Sequence, residues 1–230
     1  MSDILYLCYF GSFVRGDGDS SSDVDVLCVL RSGAVVEEVD VKSFVDPELV
    51  GTRHVDLSIY GESRFKQMWE DGHLFAWHIY LESIPLVGYE TFKASKDRPG
   101  LYKNAVEDVQ RLIELLRDVR VSLSKNIVSK VYEAGLIYVA ARNIGISASW
   151  YSDTGLDFSR LAPYSFRHDG ESIFFPVEPE LYSKLCASRH AAMRGGHAPG
   201  IDLLELRAIC DKVLIWAELV INKVKICYEY

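Results

Sequence analysis

Two seven-residue apolar runs, Ile4–Phe10 and Val24–Leu30, constrain this chain more than any other feature. Both are too short for a buried helix. Both are rich in strand-forming side chains, and both are bounded by Gly/Ser/Asp clusters, so they read as strands. A third segment, His54–Tyr60, alternates: Val55, Leu57 and Ile59 fall on one face, His54, Asp56 and Ser58 on the other. Ala34–Val41 is a weaker strand candidate, and Ile84–Val87 adds a further one. Between the first two strands, Ser12–Gly16 has room for about one helical turn. Gly61 precedes a helix expected over Glu62–Asp71, and a second helix is expected over His73–Ser83.

From about Asp97 the apolar period changes from two to 3.6. Leu101, Ala105, Val109, Leu112, Leu116 and Val119 form one helical stripe. Ile127, Val131, Ala134, Ile137, Ala141 and Ile144 form a second; Leu203, Leu206, Ile209, Val213, Trp216, Val220 and Val224 form a third. A shorter helix is expected within Pro176–Met193, started by Pro176 or Pro179 and stopped at Gly195-Gly196. Ser147–Phe175 is polar and aromatic, and reads as irregular with one short helix near Leu156–Leu161. The expected fold class is therefore α+β: a small mixed-sheet core over residues 1–95, then an all-α bundle over residues 96–230. The boundary falls in Lys93–Pro99.

At 230 residues and 49% hydrophobic content, the chain has the apolar material for ordinary globular cores. No apolar run approaches the roughly 20 residues of a membrane-spanning helix, and Met1-Ser2-Asp3 offers no basic leader, so a cytoplasmic protein is expected. The five cysteines form no CxxC pair and read as reduced, mostly buried thiols. The formal charge of −8 argues against a nucleic-acid backbone as partner, because such binding draws on Lys and Arg. It suits a cationic partner, or a small anion carried with metal ions.

The chemistry sits between the first two strands, in Gly11-Ser12-Phe13-Val14-Arg15-Gly16, six further residues, and Asp23-Val24-Asp25. Asp23 and Asp25 are two apart, so a strand turns both carboxylates to one face. Two such charges repel unless a cation neutralises them. Magnesium, which favours a few carboxylates together with phosphate oxygens, is the natural cation. If the strand carrying Asp56 neighbours Val24–Leu30, a third carboxylate joins, and three can hold two ions about 4 Å apart for displacement at phosphorus. Gly11 permits close backbone approach after the first strand, and the Ser12 hydroxyl can donate to a phosphate oxygen. A nucleoside triphosphate with Mg²⁺ satisfies both halves.

This arrangement resembles the GS…DxD signature of the DNA polymerase β-like nucleotidyltransferases. It is most similar to the minimal nucleotidyltransferase branch, in which Ser-Asp-x-Asp follows Gly-Ser-x-x-Arg-Gly at this spacing; Ser22 matches that serine. His54-Val55-Asp56-Leu57 resembles the strand bearing the family's third carboxylate. Over residues 4–92 the resemblance implies transfer of a nucleoside monophosphate from a triphosphate, ATP first, to an acceptor hydroxyl, with release of pyrophosphate. Asp23 and Asp25 would hold two Mg²⁺ ions. Asp56 would complete one metal site and help deprotonate the acceptor. Gly11, Ser12, Arg15 and Ser22 would bind the nucleotide. Many relatives place a helix ahead of the first strand, whereas here the strand is read from Ile4.

The bundle is similar in outline to helical domains appended to such enzymes, including kanamycin nucleotidyltransferase-like and HEPN-like bundles. The Arg-x4–6-His pair of HEPN ribonucleases is not matched: Arg189 to His197 and Arg160 to His168 are each one residue too long. A site in the cleft between the two domains is expected, with the bundle binding a small hydroxylated acceptor. The alternative is an antitoxin-like module that adenylylates or binds a partner protein. Lys125, Lys130, Arg189 and Arg194 are further cations considered for the triphosphate. His73, His78, Trp69 and Trp77 are expected in packing roles, and Trp150, Tyr151, Tyr164 and Phe166 in anchoring the irregular stretch.

Overall fold

A computed structural model describes residues 3–18, 22–88, 98–125 and 128–228. The chain divides into two compact units, Met1–Lys103 and Asn104–Tyr230. The boundary expected at residue 95 lies among residues 89–97, outside the described residues.

The first unit is a four-stranded mixed sheet in the order β3-β2-β1-β4, with β1 Ile4–Phe10, β2 Val24–Leu30, β3 Val55–Gly61 and β4 Ser83–Val87. β1 pairs antiparallel with both β2 and β4, whereas β2 and β3 run parallel. Parallel neighbours need a crossover rather than a hairpin. Residues 31–54 supply it, carrying the short helices α2 (Glu38–Lys42) and α3 (Pro47–Val50). The Tyr9 hydroxyl accepts from the Asp46 backbone N–H at 3.0 Å and ties this crossover to β1.

Strand alternation sorts the sheet into two apolar layers. Leu7, Tyr9, Val24, Val26 and Cys28 pack with Val41, Val45 and Val50 on one face. Tyr6, Cys8, Phe10, Leu27 and Val29 pack with Phe65, Trp69, Ala76 and Ile79 on the other, under α4 (Glu62–Glu70) and α5 (Leu74–Leu81). Both faces are covered, which is why β1 and β2 read as continuous apolar runs. Trp77 donates its indole N–H to the Gly100 carbonyl at 2.9 Å. His73 caps α5, its Nδ1 accepting from the Phe75 N–H at 3.1 Å.

Ala34–Val41 is not a strand. Residues 34–37 have no regular structure, and α2 begins at Glu38. Val35 and Val39 are 88% and 71% exposed, so β-branched composition there has no sheet to pack on. Acidic Glu38 at the helix start and its ion pair to Lys42 at 2.6 Å favour one helical turn instead.

The second unit is helical: α6 Ala105–Leu123, α7 Lys130–Ser149, α9 Pro179–Arg194 and α10 Leu203–Tyr228, with a one-turn α8 Ala162–Ser165. α7 packs against α6, α8, α9 and α10. Its buried residues, among them Ala134, Gly135, Ile137, Ala140, Ala141, Ile144 and Gly145, wrap all its sides, as a central helix requires. The short helix expected near Leu156–Leu161 lies instead at Ala162–Ser165. Asp157 holds the preceding residues in a turn, its carboxylate accepting from the Ser159 N–H at 2.8 Å and the Ser165 hydroxyl at 2.6 Å. Tyr164, Phe175, Tyr182 and Trp216 form an edge-to-face cluster, and Phe166 is buried beside it in sequence, so this stretch is anchored by its aromatics.

None of the five cysteines is in a disulfide; burial pushes Cys28 up to about 11 and Cys210 up to about 12, so both stay protonated near neutrality. No helix among the described residues is long and apolar enough to cross a membrane.

Gly145 tests the packing of α7. Alanine has the better helix propensity, by up to about 1 kcal/mol. A Cβ at Gly145 would stand 2.6 Å from the Pro163 nitrogen and 2.7 Å from the Ala162 carbonyl carbon, both backbone. Overpacking costs typically about 1–3 kcal/mol, so the clash outweighs propensity. Gly145→Ala should lower stability by about 1–2 kcal/mol in chemical denaturation; a gain would contradict the packing described.

Candidate active site

The parallel ladder between β2 and β3 sets the site. Its register pairs Asp25 directly with Asp56, without a shift from Val24↔Val55 to Leu30↔Gly61. The Val24 N–H donating to the His54 carbonyl at 2.9 Å closes the ladder at that end. On the other side of β2, Asp25 pairs with Phe10, which in turn pairs with Ser83. One row therefore crosses the sheet: Ser83, Phe10, Asp25, Asp56. Alternation places Asp25 on the face of Leu27 and Val29, and Asp56 on the face of Tyr60, which is the same layer. Asp23 stands two residues before Asp25 and shares its parity. Asp25 and Asp23 are half-buried; Asp56 is exposed.

Gly11 follows Phe10 at the end of that row. Its φ of 74° and ψ of −150° lie in a region that only glycine enters without strain. A Cβ on Gly11 would also collide with Asp25 Oδ2. The residue is needed twice, for the turn and for the carboxylate lying directly beside it. The turn continues as α1, Ser12–Arg15, ended by Gly16 at φ 76°.

Beside the turn is a cavity of about 230 Å³. Ser12, Phe13, Gly16 and Gly18 line it from the turn, Ser22 and Asp23 from the approach to β2, and Arg53 from the approach to β3. A methyl group on Gly18 would lie 3.3 Å from Ser12 Oγ and 3.5 Å from Ser22 Oγ, so the two hydroxyls converge on a residue without a side chain. Asp25 and Asp56 are not in the lining; Asp23 joins the cavity to the carboxylate row.

The sequence motif thus gathers in one place: Gly11, Ser12, Ser22 and Asp23 around the turn, and Asp25 and Asp56 in register. The oxygens of Asp23, Asp25 and Asp56 do not all approach within 4.8 Å of one another. An all-oxygen set on adjoining strands suits a hard divalent ion.

Arg15 is placed differently from the other motif residues. Its Nε donates to Asp17 Oδ2 at 3.1 Å, and its NH1 donates to Glu82 Oε2 at 2.5 Å. His78 Nε2 lies 3.0 Å from the same Glu82 oxygen. These three side chains are less than one-fifth exposed, and Phe10 meets the His78 ring edge to face at 5.3 Å. Burial works against both charges of the pair. It is outweighed by the bonds to Asp17 and Glu82, which raise the Arg15 pKa, and by those from His78 and Arg15, which hold the Glu82 carboxyl below the ordinary glutamate value.

Among the described residues, one set of three potential ligand atoms does close to within 4.8 Å: Asp153, His168 and Asp169 in the second unit. Sequence reading did not find it, because Asp153 is brought to the other two only by the hairpin of β5 (Arg167–His168) and β6 (Glu171–Ser172). Asp169 and Gly170, at φ 52° and 75°, make its two-residue turn. The Asp153 carboxylate accepts from the Gly170 N–H at 2.9 Å and the Asp169 N–H at 3.1 Å, which lowers its pKa and accounts for its position.

The Arg15–Glu82 contact makes a pH prediction. A carboxyl depressed in the folded state stabilises the fold above its unfolded pKa, near 4.5, and loses that contribution as pH falls through the folded value. The thermal midpoint of the wild-type chain should fall more steeply from about pH 6 to about pH 3 than that of Glu82→Gln. Parallel curves would show that Glu82 contributes no such linkage.

Residues 3–83 match the family model described as a nucleotidyltransferase domain. No curated protein matches the chain. The match spans β1 to the first residue of β4, including the Gly11 turn, the crossover and the strand of Asp56. Over those residues, about a third of the chain, the protein is similar to a nucleotidyltransferase domain.

Proposed function

We propose that this protein is a magnesium-dependent nucleotidyltransferase that moves a nucleoside monophosphate from a triphosphate, ATP foremost, to a hydroxyl of a small-molecule acceptor. The observation that carries the reading is the pairing of Asp25 with Asp56 on one sheet face, beside a Gly11 turn that has no room for a side chain. The family match supports nucleotidyl transfer in general; the metal, the base and the acceptor are the finer proposal.

In the reaction, the acceptor oxygen forms a bond to the α-phosphorus. The bond from that phosphorus to the α–β bridging oxygen breaks, and pyrophosphate leaves with the electron pair. Asp23, Asp25 and Asp56 would hold two Mg²⁺ ions, whose charge offsets that developing on the α-phosphate and leaving group. Asp56, the most exposed of the three, would receive the acceptor proton. Ser12 and Ser22 line the cavity, and their hydroxyls would donate to phosphate oxygens. Gly11 keeps the turn close to Asp25. Chemistry of this kind rests on positioning and electrostatics, so small displacements of these groups are costly.

The test uses α-labelled triphosphates with panels of hydroxylated small molecules and of proteins. Transfer should need magnesium and stop on chelation. Asp25→Asn should lower it by about two to three orders of magnitude or more, the range seen when one preorganised charge-stabilising group is removed. Transfer that survives chelation or Asp25→Asn would defeat the reading. Label found only on polypeptide would assign a protein acceptor and so replace the small molecule with the antitoxin-like alternative.

A further inference from the structure

Two arginines lie near the motif turn, and their surroundings differ. The Arg15 guanidinium is engaged by two carboxylates, Asp17 and Glu82, and it is not part of the cavity lining. Arg53 does line the cavity, together with Ser12 and Ser22. Its guanidinium carbon sits 5.7 Å from the centre of the Phe13 ring, a cation–π contact that steers the charge while leaving its N–H donors for other acceptors. Phe13 is held in turn by the Tyr9 ring at 5.2 Å.

The cavity itself selects part of a nucleotide. At about 230 Å³ it is smaller than the roughly 300–1,000 Å³ of a pocket that encloses a whole ligand. Two hydroxyls, one guanidinium, two glycines and the Asp23 carboxylate, a proposed magnesium ligand, line it, with Phe13 in contact with Arg53. That lining suits a chain of phosphate oxygens and offers a base no uncovered aromatic face.

We propose that Arg53 is the cation that grips the triphosphate tail, and that Arg15 is a positioning residue that fastens the motif turn to Glu82 beyond the end of α5. This rests on the nucleotidyltransferase reading above and names a residue outside its motif. Guanidinium forks bind phosphate through two parallel N–H bonds. An arginine already committed to two carboxylates would have to break both before offering them.

The probes are magnesium with ATP and magnesium with inorganic tripolyphosphate, titrated into the full-length protein and read by calorimetry. Arg53→Gln keeps much of the stem over Phe13 and removes the charge. It should weaken both probes by about ten- to a hundredfold, the usual effect of losing a charge-assisted bond. Arg53→Lys should recover part of the loss. In a double-mutant cycle on thermal stability, Arg15→Gln and Glu82→Gln should show non-additive losses, because they remove one shared contact. Wild-type binding with Arg53→Gln within about twofold of it would overturn the assignment and leave the nucleotidyltransferase reading standing. The same holds for additive losses at Arg15 and Glu82. Absence of any magnesium-dependent triphosphate binding to the wild-type protein would overturn that reading and this assignment together.

Discussion

Backbone hydrogen bonds between β2 and β3 leave each side chain on those strands only two directions to point. Because the pairing is parallel and in step over seven residues, Asp25 and Asp56 meet at the same level and on the same face. A slip of one residue would send one carboxylate into the opposite layer, among Val24, Val26 and Cys28. The apolar residues of β2 resist such a slip, since moving them would expose one buried set and bury a charge. The packing of both sheet faces and the placing of the acidic pair are thus one constraint.

The second constraint is the turn at Gly11. Glycine is required there by the backbone and by the Asp25 carboxylate independently. The turn, the row of side chains crossing the sheet and the cavity beside them form a single local structure. Arg15, Glu82 and His78 brace it from the side of α5, joining residues 67 apart in sequence. The protein's overall negative charge therefore says little about this site. Its electrostatics are set by a few carboxylates and two arginines with different surroundings.

Much of this was legible in the residues. The strands announced themselves through bounded apolar runs and, for β3, through alternation; the long helices through their 3.6-residue stripes. The motif residues Gly11, Ser12, Ser22, Asp23 and Asp25 share one stretch of chain, so spacing alone could gather them. Three things were hidden. The Ala34–Val41 stretch carried strand-forming side chains that found no sheet, and only Val41 of its valines is fully buried. The register of Asp25 with Asp56 is a property of tertiary pairing that no local pattern encodes. The distinct settings of Arg15 and Arg53 depend on Glu82 and Phe13, whose approach is set by packing. A charge is easy to see in a sequence; the charge that already neutralises it is not.

The central claim is that Asp25 and Asp56, with Asp23, form the metal-binding edge of the active site. The most direct measurement is anomalous diffraction from crystals of the protein grown with Mn²⁺ and a non-hydrolysable triphosphate. The account predicts manganese peaks between the Asp25 and Asp56 side chains, with the phosphate tail beside Ser12. Manganese bound only at Asp153, His168 and Asp169, with none at the sheet, would contradict it.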